Sequence, residues 1–241
     1  MKTKLSLLYA LCVYTSIVAC DDGHVDDPVF ENNADGYNVQ ITGTFKGVST
    51  WTGNYSVVAA AFDGESDYSL IQKVLPSTGE AMEMVRLSNI PAQSKTVEIA
   101  VVNSLRKRIA TLYSYELLES YSDTIRIDAG EINAGMFEAI NRFVFQGSGT
   151  NCSMCHGRNN GAANLNLTLE NAYASLVNVQ ASKDRTKTRV LPGDAANSFF
   201  YKVITEGDDN VSYSHQGLFS EEEYSAFLDI IALWINNGAK E

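Results

Sequence analysis

The chain has 241 residues, 45% hydrophobic and 20% charged, which suffices for one large domain or two ordinary ones. Its 29 acidic residues against 18 basic ones give a formal charge of −11, and such a balance argues against nucleic acid or anionic lipid as an electrostatic partner. It favours a partner with a basic docking face.

Lys2 and Lys4 are followed by a run from Leu5 to Val18 without a charge, and then by Ala19 and Cys20. A basic start, an apolar stretch too short for a finished membrane span and a small residue before the cut predict an export signal over 1–19. Ile17, Val18, Ala19 and Cys20 resemble the lipobox of bacterial lipoproteins, which implies lipidation of Cys20 and a lipid-anchored place in the cell envelope, on the periplasmic face or the outer-membrane surface. Loss of Lys2 and Lys4 with the leader would shift the formal charge from −11 to −13. No later apolar run is long enough to span a bilayer.

Residues 20–36 carry Asp21, Asp22, Asp26, Asp27, Glu31 and Asp35 with little to bury, and read as an acidic tether. His24 lies in it and is expected to be idle. From Tyr37 to about Asp128 the pattern changes to short alternating runs: Asn38–Phe45, Tyr55–Phe62, Tyr68–Leu75, Met82–Ile90, Thr96–Leu105, Ile109–Leu117 and Thr124–Asp128. Turn residues such as Gly53-Asn54, Asp63-Gly64 and Pro91 separate them, and the spacing predicts an antiparallel β-sandwich over 37–129. The acidic group Asp63, Glu65 and Asp67 reads as a solvated hairpin rather than a calcium loop. The basic run Arg106, Lys107 and Arg108 reads as a charged turn.

Beyond Gly130, Ile132, Met136, Phe137, Ile140, Phe143 and Val144 recur at helical spacing, so an amphipathic helix is expected to end at Gly147. Met136 belongs to its apolar stripe. At the far end Ser220 with Glu221, Glu222 and Glu223 reads as a capping box for a helix through Tyr224, Phe227, Leu228, Ile231, Trp234 and Ile235, closed by Asn236-Asn237-Gly238.

Between these helices lies Cys152-Ser153-Met154-Cys155-His156. If Cys12 leaves with the leader and Cys20 takes lipid, this pair holds the remaining cysteines. The Cys-x-x-Cys-His spacing is that of c-type haem attachment, in which both thiols add to the haem vinyl groups and the next residue ligates the iron. A thioredoxin-like dithiol would instead need a βαβ setting, whereas Phe145 to Asn151 reads as a loop after a helix. A zinc site would need further ligands, and the only other histidines are His24 and His215.

Residues 130–241 resemble the class I-like monohaem cytochrome c domains of bacterial envelope proteins, especially the planctomycete-type domain. Four places carry the resemblance: Cys152, Cys155, His156 and Gly157; Leu165, Asn166 and Leu167; Val190, Pro192, Gly193, Asp194, Ser198 and Tyr201; and Trp234, Ile235, Gly238 and Ala239. It implies a two-domain chain, a sandwich followed by an all-α cytochrome c-like domain, with one haem c bound by Cys152, Cys155 and His156. The family's distal Met-Pro pair is missing, since 207–219 has neither residue and no methionine follows Met154. His215 occupies that interval and is expected to be the second iron ligand beside His156.

These expectations describe an electron carrier between envelope redox partners rather than an enzyme, with peroxide reduction conceivable only at an open iron position. The alternative is a surface binding or adhesion lipoprotein in which the sandwich does the work and the haem is an accessory.

Overall fold

The computed structural model describes residues 36–77, 81–118, 124–157 and 161–241, so the expected leader, Cys20 and all of the tether but Gly36 lie outside the described residues. Period-two burial generates the strands. In β1 (Tyr37–Lys46), Val39, Ile41 and Phe45 are buried while the alternate side chains turn outward. The remaining strands are β2 (Tyr55–Phe62), β3 (Ile71–Val74), β4 (Glu83–Ile90), β5 (Thr96–Asn103), β6 (Arg108–Glu116) and β7 (Ile125–Asn133).

They form two sheets, β4-β1-β7 and β3-β2-β5-β6, whose apolar faces share one core. Central strands β2 and β5 are buried on both faces, and accordingly read as continuous apolar runs, Val57 to Phe62 and Val97 to Val102, around the one charged residue Glu98. The expected antiparallel arrangement is incomplete, because β1 pairs with β4 antiparallel but with β7 parallel. A bulge at Thr42/Gly43 sits opposite Ala129-Gly130 in that parallel pair. A Cβ on Gly43 would stand 2.8 Å from the Gly130 carbonyl, so this close approach of two backbones requires glycine.

The expected all-α cytochrome c-like domain beyond residue 130 is not what the chain forms. The fold is β-rich: β7 continues to Asn133, and the helices after it are short. These are α1 (Met136–Ile140), which passes into a π-helical turn at Asn141–Phe145, α2 (Ser153–His156), α3 (Ala172–Leu176), α4 (Phe199–Thr205) and α5 (Glu222–Asn236). Only α5, at 15 residues, exceeds two turns. Physically, the apolar stripe read as one helix is divided: Ile132 faces the core from a strand, and Phe143 and Val144 sit on the π turn. Asn, Gly, Ser and Thr fill much of 157–198 and favour turns held by side-chain bonds, such as Asp184 accepting the Thr186 N–H, over helix.

The core does not stop at residue 130. It runs from Val39 through Met136, Ile140 and Phe145 to Trp234 and Ala239 within the compact unit 33–241. Hydrogen bonds cross from the helical part to the sheets: Trp51 Nε1 donates to the Ala134 carbonyl at 2.6 Å, Asn237 Nδ2 to Thr52 Oγ1 at 2.5 Å, and Lys107 pairs with Glu222 at 2.5 Å. The expected capping box is not formed. Helix α5 starts one residue later than that pattern requires, with Glu221 as N-cap and no side-chain cap bond, while the Ser220 hydroxyl donates to the Gly217 carbonyl.

The acidic and basic clusters of the sheet region serve each other. Asp63 caps the backbone N–H groups of Glu65 and Ser66, and Arg106 donates to the Ser69 and Leu70 carbonyls. Arg108 bridges Asp67 at 2.9 Å and the buried Glu98 at 2.8 Å, with its guanidinium 4.6 Å from the centre of the Phe62 ring. Replacing Arg108 by Leu strands the Glu98 carboxylate, whose side chain is 4% exposed. The expected cost is about 3 kcal/mol, at the low end for breaking a buried pair because two threonine hydroxyls still serve Glu98. Urea unfolding checks this, and an unchanged midpoint would contradict it.

Candidate functional site

The π turn delivers the chain into the Cys152–His156 segment, and π turns interrupt helices preferentially at functional places. Thr150 Oγ1 donates to the Val144 carbonyl at 2.5 Å and the Asn151 N–H to the Gly147 carbonyl at 2.8 Å, folding the loop back on the turn it leaves. The Tyr224 ring of α5 lies against Gly149 where no Cβ could fit. Helix α2 is then a single turn in which the His156 N–H reaches the Cys152 carbonyl at 3.0 Å.

Cys152 and Cys155 are therefore one helical turn apart, on the same side of the chain, and both are free thiols. Cys152 packs on the core and burial pushes its thiol up to about 12, the reverse of what a reactive thiolate in a redox dithiol requires. Cys155 and Met154 are exposed.

His156 and His215 come together from segments 59 positions apart in sequence. Their ring centres are 6.1 Å apart and the ring planes 29° from parallel. His156 Nδ1 lies 2.8 Å from the Ala162 carbonyl, so as a donor it commits this nitrogen and leaves Nε2 available. His215 Nδ1 is buried without a hydrogen-bond partner. Burial holds both rings below the ordinary histidine value; the Ala162 contact opposes this for His156 and the Tyr213 backbone opposes it for His215. Tyr213 stands edge-on to His215 with centres 5.0 Å apart.

His156 and His215 are the residues that would hold a haem iron here. Metal–imidazole bonds of about 2 Å to one ion would be compatible with ring centres about 6 Å apart. The buried His215 nitrogen without a partner and the backbone-oriented His156 ring suit metal ligation, and two unpaired thiols adjoin His156 in sequence. Among the described residues no three His, Cys, Asp or Glu side chains converge as a metal-binding group. Nor, among them, is any helix long and apolar enough to cross a membrane.

Two supporting residues escaped the sequence reading. Arg189, 8% exposed, has no carboxylate partner among the described residues, and burial lowers its pKa. Its guanidinium donates to the carbonyls of Ser175 at 2.7 Å and of Ala163 and Asn164 at 3.0 Å each. Ala163 and Asn164 sit at φ 58° and 49°, so this fork fastens a strained loop one residue beyond the carbonyl that faces His156. The signal in the sequence was slight, an arginine directly before the apolar pair Val190-Leu191. Asp208 is the second. It accepts the Asn210 N–H at 3.0 Å and pairs with Lys187 and Lys202, tying down the start of the segment that carries His215.

No family model, curated protein or solved structure matches the chain.

Arg189→Met keeps the stem and removes the donors of three carbonyls. It is expected to cost about 2 kcal/mol in urea unfolding, and a wild-type midpoint would contradict the role given to the fork. The Asn210 N–H and side chain, with Lys187, hold the Asp208 carboxyl at about 2. A carboxyl lowered in the folded state stabilises above its unfolded pKa and loses that contribution as pH falls through the folded value. Stability should thus decline between about pH 4 and pH 2, with a smaller decline in Asp208→Asn, measured by thermal melts across that range.

Proposed function

We propose that the chain carries one covalently bound haem c, held by Cys152 and Cys155 and ligated through His156 and His215, and passes single electrons between cell-envelope partners. The observation that carries this reading is the pairing of the two imidazoles at 6.1 Å beside two free thiols one helical turn apart. Attachment is chemically balanced: each thiol adds its sulfur to one carbon of a vinyl group and its hydrogen to the other, forming a thioether. Bound haem supplies a one-electron couple.

The chain's own residues set the conditions. Cys152 anchors the group against the core and Cys155 holds it at the surface. The Ala162 carbonyl orients His156 and increases its basicity, and Arg189 keeps the loop bearing that carbonyl in place. A histidine rather than a thioether as second ligand lowers the reduction potential. With both His156 and His215 committed to the iron, peroxide reduction would be disfavoured. The reading places the chain on the membrane through lipid at Cys20, with redox partners whose docking face is basic, complementing the formal charge of −13 left once Lys2 and Lys4 go with the leader. It does not require an all-α domain, because the ligand set is built by short turns fixed on a β-rich core.

The test is maturation of the chain in a host envelope that attaches c-type haem. The pigment should survive acid extraction in wild type and be absent from the Cys152→Ala, Cys155→Ala double variant. His215→Ala should retain the pigment and convert its visible spectrum from low-spin to high-spin. Extractable pigment in wild type contradicts the covalent attachment, and an unchanged low-spin spectrum in His215→Ala contradicts the second ligand.

A further inference from the structure

The outer face of sheet β4-β1-β7 carries an arrangement that the haem reading leaves unused. Register aligns Arg86, Gln40 and Arg126 in one row across the three strands, Gln40 pairing with Arg86 on one side and Arg126 on the other. At about 4.8 Å per strand the two arginine Cα atoms stand roughly 10 Å apart, with the Gln40 amide between them. Asn38, Ser88 and Thr124 line the same depression, a cavity of about 340 Å³, which is within the range of small-molecule sites.

Both guanidiniums are exposed, and among the described residues neither pairs with a carboxylate. Asp128, two residues along β7 on the same face, has its carboxylate engaged at the Gly130 N–H at 3.0 Å. Two arginines without a carboxylate partner in one polar depression stand out in a chain of net charge −11, where Arg106, Arg108 and Arg189 are bonded internally.

The lining defines the ligand class. Guanidinium forks match carboxylates bidentately, and four neutral amide and hydroxyl side chains suit a ligand rich in hydroxyls. Among the described lining side chains none is aromatic or aliphatic, so these offer no partner to a stacked base or an acyl chain. We propose that this face binds an acidic saccharide, with a sugar carboxylate between Arg86 and Arg126 and its hydroxyls on Gln40, Asn38 and Ser88.

The proposal is independent of haem attachment and is tested by calorimetric titration of the purified chain with trigalacturonate, maltotriose and a sulfated disaccharide. Trigalacturonate should bind and weaken with added salt, with Arg86→Gln and Arg126→Gln each lowering affinity at least about tenfold, the loss of one charged bidentate contact. Maltotriose should not bind. Unaltered melting temperatures in the two variants would confirm that the sheet is intact. Absence of trigalacturonate binding, equal binding of maltotriose, tighter binding of the sulfated disaccharide, or affinity unmoved by both substitutions would each overturn the assignment.

Discussion

The packing of α1 and its π turn against the closing helix α5 is the constraint on which the rest of the molecule depends. Phe137 lies 5.0 Å from Trp234 and 5.3 Å from Tyr173 between ring centres, and Phe143 lies 6.2 Å from Phe227. Five aromatic rings from three segments thus converge where the sheets end, and aromatic pairs supply both large burial and preferred geometry. Trp234 Nε1 is satisfied by the Lys240 carbonyl at 2.7 Å, which fixes the residues after the helix back onto it. The Gly193 N–H reaches the Ile235 carbonyl at 2.7 Å, so the Pro192–Asp194 turn is gathered in as well. This cluster seats the turn from which the loop bearing Cys152 departs, and the Thr150 and Asn151 hydrogen bonds tie the loop back to that turn.

From that anchor the site is built by hydrogen bonds more than by helix. The segments around His156 are short or strained, with positive φ at Asn151, Ala163 and Asn164. Each is pinned individually: Gln146 Nε2 to the Leu167 carbonyl at 2.6 Å, the Leu167 N–H to the His156 carbonyl at 2.6 Å, and Arg189 across 163–164. A buried guanidinium committed to backbone carbonyls and one hydroxyl, with no carboxylate partner among the described residues, is costly, and its place one residue from the His156 partner is where such a cost has a structural return. The proposed ligand pair therefore rests on a frame whose rigidity comes from the shared core below and from polar pins above.

Much of this was legible in the residues. Strand β2 at Tyr55–Phe62 follows directly from its apolar run between Gly53-Asn54 and Asp63-Gly64, and the end of α5 from Asn237-Gly238. The Cys-x-x-Cys-His spacing and the lone downstream His215 brought together the two rings that the fold places near each other. What could not be read was tertiary. The parallel β1–β7 pair joins strands more than 80 positions apart, and local alternation is the same for parallel and antiparallel neighbours. The stripe from Ile132 to Val144 has helical spacing, yet β7 captures Ile132 because β1 offers it a ladder, a case of tertiary pairing overriding local pattern. Ser220 could bond either the backbone before it or a helical N–H after it, and the Gly217 carbonyl took its hydroxyl. The all-α domain failed as an expectation for this reason: short apolar periods were read as independent helices, whereas the sheets supply the surface on which they fold.

The central claim is that the two thiols of Cys152 and Cys155 are consumed by one prosthetic group. The most direct measurement is the mass of the denatured chain after export through a c-type maturation pathway. The account predicts a chain heavier than its polypeptide by one haem, with neither cysteine open to alkylation. A chain without that added mass, whose Cys152 and Cys155 alkylate after reduction, would contradict it.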